Sequence, residues 1–195
     1  MPSTSARTPM PEHQIATAYT SLFRGTPLLL QIVAIYFAIP AFIDYMSARW
    51  GVWENVPYPN AFVSGVAALS LNYGAYLTEV FRAGIQAVPR GQMEAAWALG
   101  MTGWQTQHRI VLPQAFKIVI PAIGNDFIAL IKDTSLVSII AVSEVLHQAQ
   151  MVGSRTYDYL SPLLVAAAVY WALTIFFSFW QAKLERRLER DRART

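Results

Sequence analysis

The chain has 195 residues, of which 54% are apolar and only 14% charged, with a formal net charge of +3 and no cysteine. A charge content so far below the roughly 25% of an average soluble domain argues against a surface that faces water all round, and the lack of cysteine excludes a disulfide framework and thiolate chemistry. Lys and Arg gather between long apolar runs and at the C-terminus, which is how basic loops flank membrane spans and not how a basic patch reads nucleic acid.

Residues 1–17 are polar, hold three prolines and show no periodicity, so they are expected to be unstructured. No apolar stretch follows Arg7 closely enough to make a signal peptide. The first apolar run, residues 26–43, is about long enough to cross a hydrocarbon core, and Pro27 suits a first helical turn. A hydrophilic stretch with Trp50, Trp53 and Tyr58 follows, aromatic residues that favour the membrane–water interface. The second run, 61–80, is rich in Gly, Ala and Ser, which let helices approach closely in a bilayer.

After a polar stretch at 81–113 comes the third run, 114–131, interrupted by Pro121 and Gly124 and carrying Asn125 and Asp126. A further apolar stretch, 135–145, either extends that helix or folds back. The fourth run, 159–180, leads into a charged tail. Continuous runs of this length make helices and not the alternating strands of a barrel. The expectation is an all-α polytopic membrane bundle with four spanning helices, a membrane domain over 18–188 and a tail over 189–195.

With 81–113 and the tail in the cytoplasm, Arg7, Arg24, Arg82, Arg90, Arg109, Lys117 and the six basic residues from Lys183 to Arg194 lie inside. Arg49, Lys132 and Arg155 lie outside, and the opposite orientation would break the positive-inside rule.

Within the polar stretch, residues 92–99 are strong helix formers with Glu94 early in the helix. Gly100 can take a positive φ and end that helix. Thr102 and Gln105 have the spacing of a capping box, so a second short helix starts there. Leu112 and Pro113 then stop the chain, with Pro113 opening the next span. The prediction is a helix–turn–helix on the membrane surface whose small Ala side chains let a partner's backbone come close.

Glu94, Ala95, Ala96, Gly100, Ile110, Leu112 and Pro113 stand at the spacing that marks permease subunits of binding-protein-dependent ATP-binding-cassette importers. The segments 23–27, 69–82, 84–90 and 124–137 resemble the polar amino-acid subfamily, so the similarity runs over about residues 19–188. The resemblance implies a type I importer fold in a bacterial inner membrane. In it, residues 94–100 form a coupling helix that docks on a separate ATPase, and Gly100 is its hinge. It implies two ATPase subunits, a second permease subunit, identical or related, and an extracytoplasmic solute-binding protein. ATP is then bound by the partners, and this chain needs no cofactor or metal and does no covalent chemistry. Relatives of this type carry one more spanning helix ahead of the Arg24–Pro27 region, where this sequence has its short polar start.

Asn72, Asn125, Asp126, Lys132 and Asp133 lie in or beside apolar runs, and such polar groups mark a translocation pathway or join helices together. Asp126 is the candidate for a solute's amino group and Lys132 for its carboxylate. His13, His108 and His147 lack metal-ligand spacing, and the sequence has no Walker A pattern. The alternatives are a permease for another small solute and a non-transporting coupling or sensor subunit; a channel or a membrane-embedded enzyme is a different class, and no catalytic constellation is visible for the latter.

Overall fold

The structure, a computed structural model, describes residues 11–53 and 55–192. Every regular element among them is helical. Helix α1 (Pro11–Gly25) is amphipathic. The expectation of an unstructured start is therefore corrected for residues 11–17, while 1–10 lie outside the described residues. Pro11 begins the helix, a position where its missing N–H costs nothing, and Tyr19 and Phe23, one turn apart, form a single aromatic face.

The chain turns at Thr26 and Pro27 into α2 (Leu28–Val33), which continues through a π-helical turn at Ala34–Ala38 into α3 (Ile39–Trp50). Gly51, with φ 62°, ends it. Helix α4 (Ala61–Gln86) is capped by Asn60, whose side chain accepts from the Val63 amide at 2.9 Å. Then come α5 (Arg90–Ala98) and α6 (Gly103–Thr106). A second π-helical turn, Gln107–Val111, joins α6 to α7 (Leu112–Asp133). The chain tightens to a 3₁₀ helix at Thr134–Ile140 and turns at Ala141, φ 58°. Residues 135–140 thus extend the α7 helix before the chain folds back into α8 (Val145–Thr156) and α9 (Leu160–Arg192). Asp158 starts α9 by accepting from the Leu160 and Ser161 amides; hydrogen bonding to Ser161 holds its carboxyl below the usual carboxylate range.

The two π-helical turns share a cause. Each immediately precedes a helix with proline at its second position, Pro40 in α3 and Pro113 in α7. A proline removes one i→i−4 bond and its ring presses on the preceding turn. Widening that turn keeps the chain helical, with Ile39 bonding to the Ala34 carbonyl and Leu112 to the Gln107 carbonyl. Leu112 and Pro113 therefore do not stop the chain as expected; they lie inside one helical rod.

Three helical stretches among the described residues are long and apolar enough to cross a membrane: Leu28–Trp50, Gly103–Ile140 and Leu160–Leu188. Helix α4, the expected second of four spans, has 26 residues and so about 39 Å of length, but is not among the three. Its composition explains this. Ser64, Gly65, Ala68, Asn72 and Ala75 form a buried stripe at helical spacing, and α4 packs against α1, α2 and α7 through small side chains instead of large ones. The core around it consists of Ile32, Ala68, Val137 and Ile140. The outer faces carry exposed Phe37, Phe42, Leu164, Trp171 and Phe179, side chains suited to lipid.

Candidate functional site: an exposed helix–turn–helix and a polar cleft

The helix–turn–helix forms as the sequence predicts, with α5 beginning two residues early, at Arg90. After α5, Gly100 takes φ +78° and donates to the Trp97 carbonyl at 2.9 Å, while the Met101 amide reaches the Ala96 carbonyl at 3.1 Å. This is the left-handed closure that glycine adopts at least cost. The Thr102–Gln105 capping box is complete, with Gln105 Nα–H donating to Thr102 Oγ1 at 3.3 Å and the Thr102 amide donating to Gln105 Oε1 at 2.9 Å.

One side of this unit is anchored and the other is open. Ala96 is 3% exposed. Val88, Val111 and Ala115 form a buried cluster with Met93 and Ile118, which fixes the unit to the base of α7. Glu94 and Ala95 are exposed, Ile110 and Leu112 are half-buried and Pro113 is exposed. The seven motif residues thus divide between the anchored side, the turn at Gly100 and the free face. Trp97 (56% exposed), Leu99 (84%) and Trp104 (73%) add large apolar surface beside Glu94 and Ala95. Sequence reasoning passed over these three; aromatic and leucine side chains in a segment already read as polar were the available signal.

The second feature is a cleft of about 490 Å3 bordered by α1, α2, α4 and α7, lined in part by Arg24, Asn72, Tyr73, Tyr76, Asp126 and Asp133. Asp133 Oδ2 accepts from the Tyr73 hydroxyl at 2.8 Å. Asp126 Oδ2 is buried and has no hydrogen-bond partner. The Arg24 guanidinium lies 5.5 Å over the Tyr76 ring and 3.8 Å from Glu79, which also holds Arg82 at 3.6 Å. One wall is a buried amide network. Asn72 Nδ2 donates to Gln31 Oε1 at 3.0 Å and to the Phe23 carbonyl at 3.1 Å, and Gln31 Nε2 donates to the same carbonyl at 2.8 Å and to Thr26 Oγ1 at 2.9 Å.

Of the five polar candidates, Asn72, Asp126 and Asp133 line this cleft. Asn125 faces α9, where its Oδ1 accepts from Gln181 Nε2 at 3.0 Å. Lys132 is exposed and is not on the lining. Arg24, Tyr73 and Tyr76 were missed. Tyr73 and Tyr76 sit next to and one turn from Asn72, so helical spacing alone could have found them; Arg24 could not be found that way because the turn at Gly25–Pro27 brings it in. Among the described residues there is no group of acidic or imidazole side chains arranged to hold a metal ion.

The model of the binding-protein-dependent transport system inner membrane component family matches residues 13–190. An L-cystine transport system permease protein, TcyB of Bacillus subtilis, is 42% identical over 181 residues, covering 92% of this chain and 72% of that protein. An arginine transport system permease protein of the same organism, ArtQ, is 40% identical over 175 residues, covering 90% of this chain and 74% of the relative. The crystal structure of an amino acid ABC transporter with histidines superposes at TM-score 0.80 with 40% identity, over 92% of this chain and 78% of that one. An inward-facing MetNI methionine ABC transporter superposes at TM-score 0.70 with 14% identity, over 96% and 80% of the two chains, a likeness of fold alone.

Proposed function

This chain belongs to the inner membrane component family of binding-protein-dependent transport systems, and from that premise we propose that it is one permease half of an ATP-driven importer of polar amino acids, worked through α5 and α6. It is a multi-pass inner-membrane protein. Its transport partners are ATPase subunits and a solute-binding protein. In our reading there are two ATPase subunits and one further permease subunit, and the α5–α6 unit faces the cytoplasm together with the C-terminus, as the distribution of Lys and Arg favours. ATP belongs to the partner subunits.

The observation that carries this reading is the division of the α5–α6 unit into an anchored and a free face. Trp97, Leu99, Trp104 and the small Ala95 offer a partner an apolar surface, of the kind that marks protein interfaces. Val88, Val111 and Ala115 join the unit rigidly to α7. A push on the free face is then transmitted to α7, and α7 carries Asp126 and Asp133 into the polar cleft. The cleft holds a cation at one side and two carboxylates at another, which suits a zwitterion: Arg24 for the carboxylate of a solute and Asp126 for its ammonium group. Lys132, outside the lining, has no part in this reading.

Uptake by proteoliposomes tests it. The chain would be reconstituted with its ATPase and binding protein and offered labelled cystine, arginine, glutamine and a sugar. ATP-dependent accumulation of one or more amino acids, and not of the sugar, is the expected result. Binding of the ATPase with no accumulation of any solute would favour the sensor-subunit alternative.

A further inference from the structure

A second cavity lies away from both regions, between α7 and α9. Its volume is about 520 Å3, and its lining includes Ile123, Phe127, Ile128 and Phe177, with Lys183 and Arg187 at one end. A cleft of about 430 Å3 beside it is lined by Phe179, Ala182, Lys183, Arg186 and Arg187. Two basic side chains, Lys183 and Arg187, are thus shared between an apolar groove and a neighbouring cleft that adds Arg186.

The depth of this site follows from α9. The stretch from Leu160 to Trp180 is free of charged residues and Lys183 is the first charge after it. At 1.5 Å per residue the uncharged part is about 30 Å long, the thickness of a hydrocarbon core. Trp180 and Lys183 therefore fall at the interface, where the Lys183 ammonium lies 5.5 Å from the Trp180 ring. The groove runs inward from there. Gln181 bonds to the Pro121 carbonyl at 3.2 Å, and deeper in, the Phe127 and Phe177 rings meet at 5.0 Å. The acidic side chain on this lining, Glu185, is engaged by Gln181 Nε2 at 2.9 Å.

We propose that this groove is a binding site for an anionic phospholipid, with one acyl chain along Ile123, Phe127 and Phe177 and the phosphate on Lys183 and Arg187. The occupant follows from the sign and place of the charge. A purely apolar groove would take any acyl chain, but a groove whose interfacial end carries Lys183 and Arg187, with Arg186 alongside, discriminates for a negative headgroup. Lys183 and Arg187 stand one helical turn apart on α9, so they face the same phosphate together.

Native mass spectrometry of the full chain, purified in mild detergent and titrated with phosphatidylglycerol or phosphatidylcholine, tests the proposal. The comparison is K183Q/R187Q against R190Q/R192Q, which removes the same charge farther along the tail. The wild type and R190Q/R192Q should retain phosphatidylglycerol in preference to phosphatidylcholine. K183Q/R187Q should bind phosphatidylglycerol roughly twenty- to thirty-fold more weakly, with phosphatidylcholine unchanged. Equal retention of the two lipids by the wild type, or equal loss in the two double variants, would overturn the site in favour of non-specific lipid contact or diffuse attraction to the basic tail.

Discussion

Asn72 on α4 and Gln31 on α2 are joined by a hydrogen bond of 3.0 Å, and both also bond to the Phe23 carbonyl at the end of α1. Both side chains are buried, at 5% and 7% exposure. This bond ties three helices at one point and forms a wall of the polar cleft. Asn72→Leu leaves the Gln31 amide oxygen without its donor, and a buried unpaired polar group costs more than the bond itself contributed. The expected loss is about 1 to 2 kcal/mol, read as a lower midpoint of thermal unfolding in detergent. Asn72→Leu combined with Gln31→Leu should lose less than the sum of the single changes, because the unpaired partner is gone; strict additivity would show the two residues to be independent.

Gly84 sets how closely α4 and α7 approach. A Cβ at this position would lie 2.1 Å from Val119 Cγ2, and Val119 is itself buried. Gly84→Ala is expected to lower stability by about 1 to 3 kcal/mol through overpacking. Val119→Ala in the same chain should recover part of that, since it removes the atom that is struck. A double variant no better than Gly84→Ala would mean that the strain lies elsewhere.

Gly100 differs in kind. It has φ +78° and nothing within 4 Å of where a Cβ would stand, so a substitution meets backbone strain and not a clash. Capture of the ATPase should fall in the order Gly, Asn, Ala, Val, because Asn tolerates the left-handed region and a β-branched residue does not. The Ala variant should lose about 1 to 2 kcal/mol of local closure. An order that followed side-chain size alone would point instead to a close partner at this residue.

Asp126 carries the proposal for the cleft. Asp126→Asn keeps the shape and removes the charge, so the permease should assemble with its ATPase as before while its KM for a cationic or zwitterionic amino acid rises about tenfold or more. Unchanged uptake kinetics would remove Asp126 from the pathway. Tyr73→Phe, which frees Asp133 from its 2.8 Å hydrogen bond, separates the roles of the two carboxylates.

The sequence carried the helix–turn–helix well, because its signals are local: Ala-rich helix, Gly100, and the Thr102–Gln105 box. All four apolar runs were equally legible as helices, though α4 is not among the stretches apolar enough to cross a membrane. Three things were not. The π-helical turns before Pro40 and Pro113 were not, because a proline alone does not announce one: Pro121 lies inside α7 without such a turn, and only at Pro113 was a boundary expected. The cleft depends on the corner at Gly25–Pro27, which brings Arg24 beside Tyr76 and Gln31 beside Asn72. That is long-range packing, so only the part of the cleft carried by α4 and α7 was visible as polar residues in apolar runs. Helix α1 was masked by its polar composition; it gains its place through Tyr19, whose hydroxyl donates to the Leu71 carbonyl at 2.6 Å.

The central claim, that the free face of α5 meets the ATPase, has a direct test that the absence of cysteine makes simple. Ala95→Cys on that face and Tyr157→Cys, 90% exposed on the turn between α8 and α9, each give a unique thiol for a photoactivated maleimide cross-linker. After co-expression with the ATPase subunit and illumination in the membrane, Ala95→Cys should form a covalent product with the ATPase, changed in yield by ATP, and Tyr157→Cys should form none. A product from Tyr157→Cys and none from Ala95→Cys, or the same yield from both, would contradict the claim.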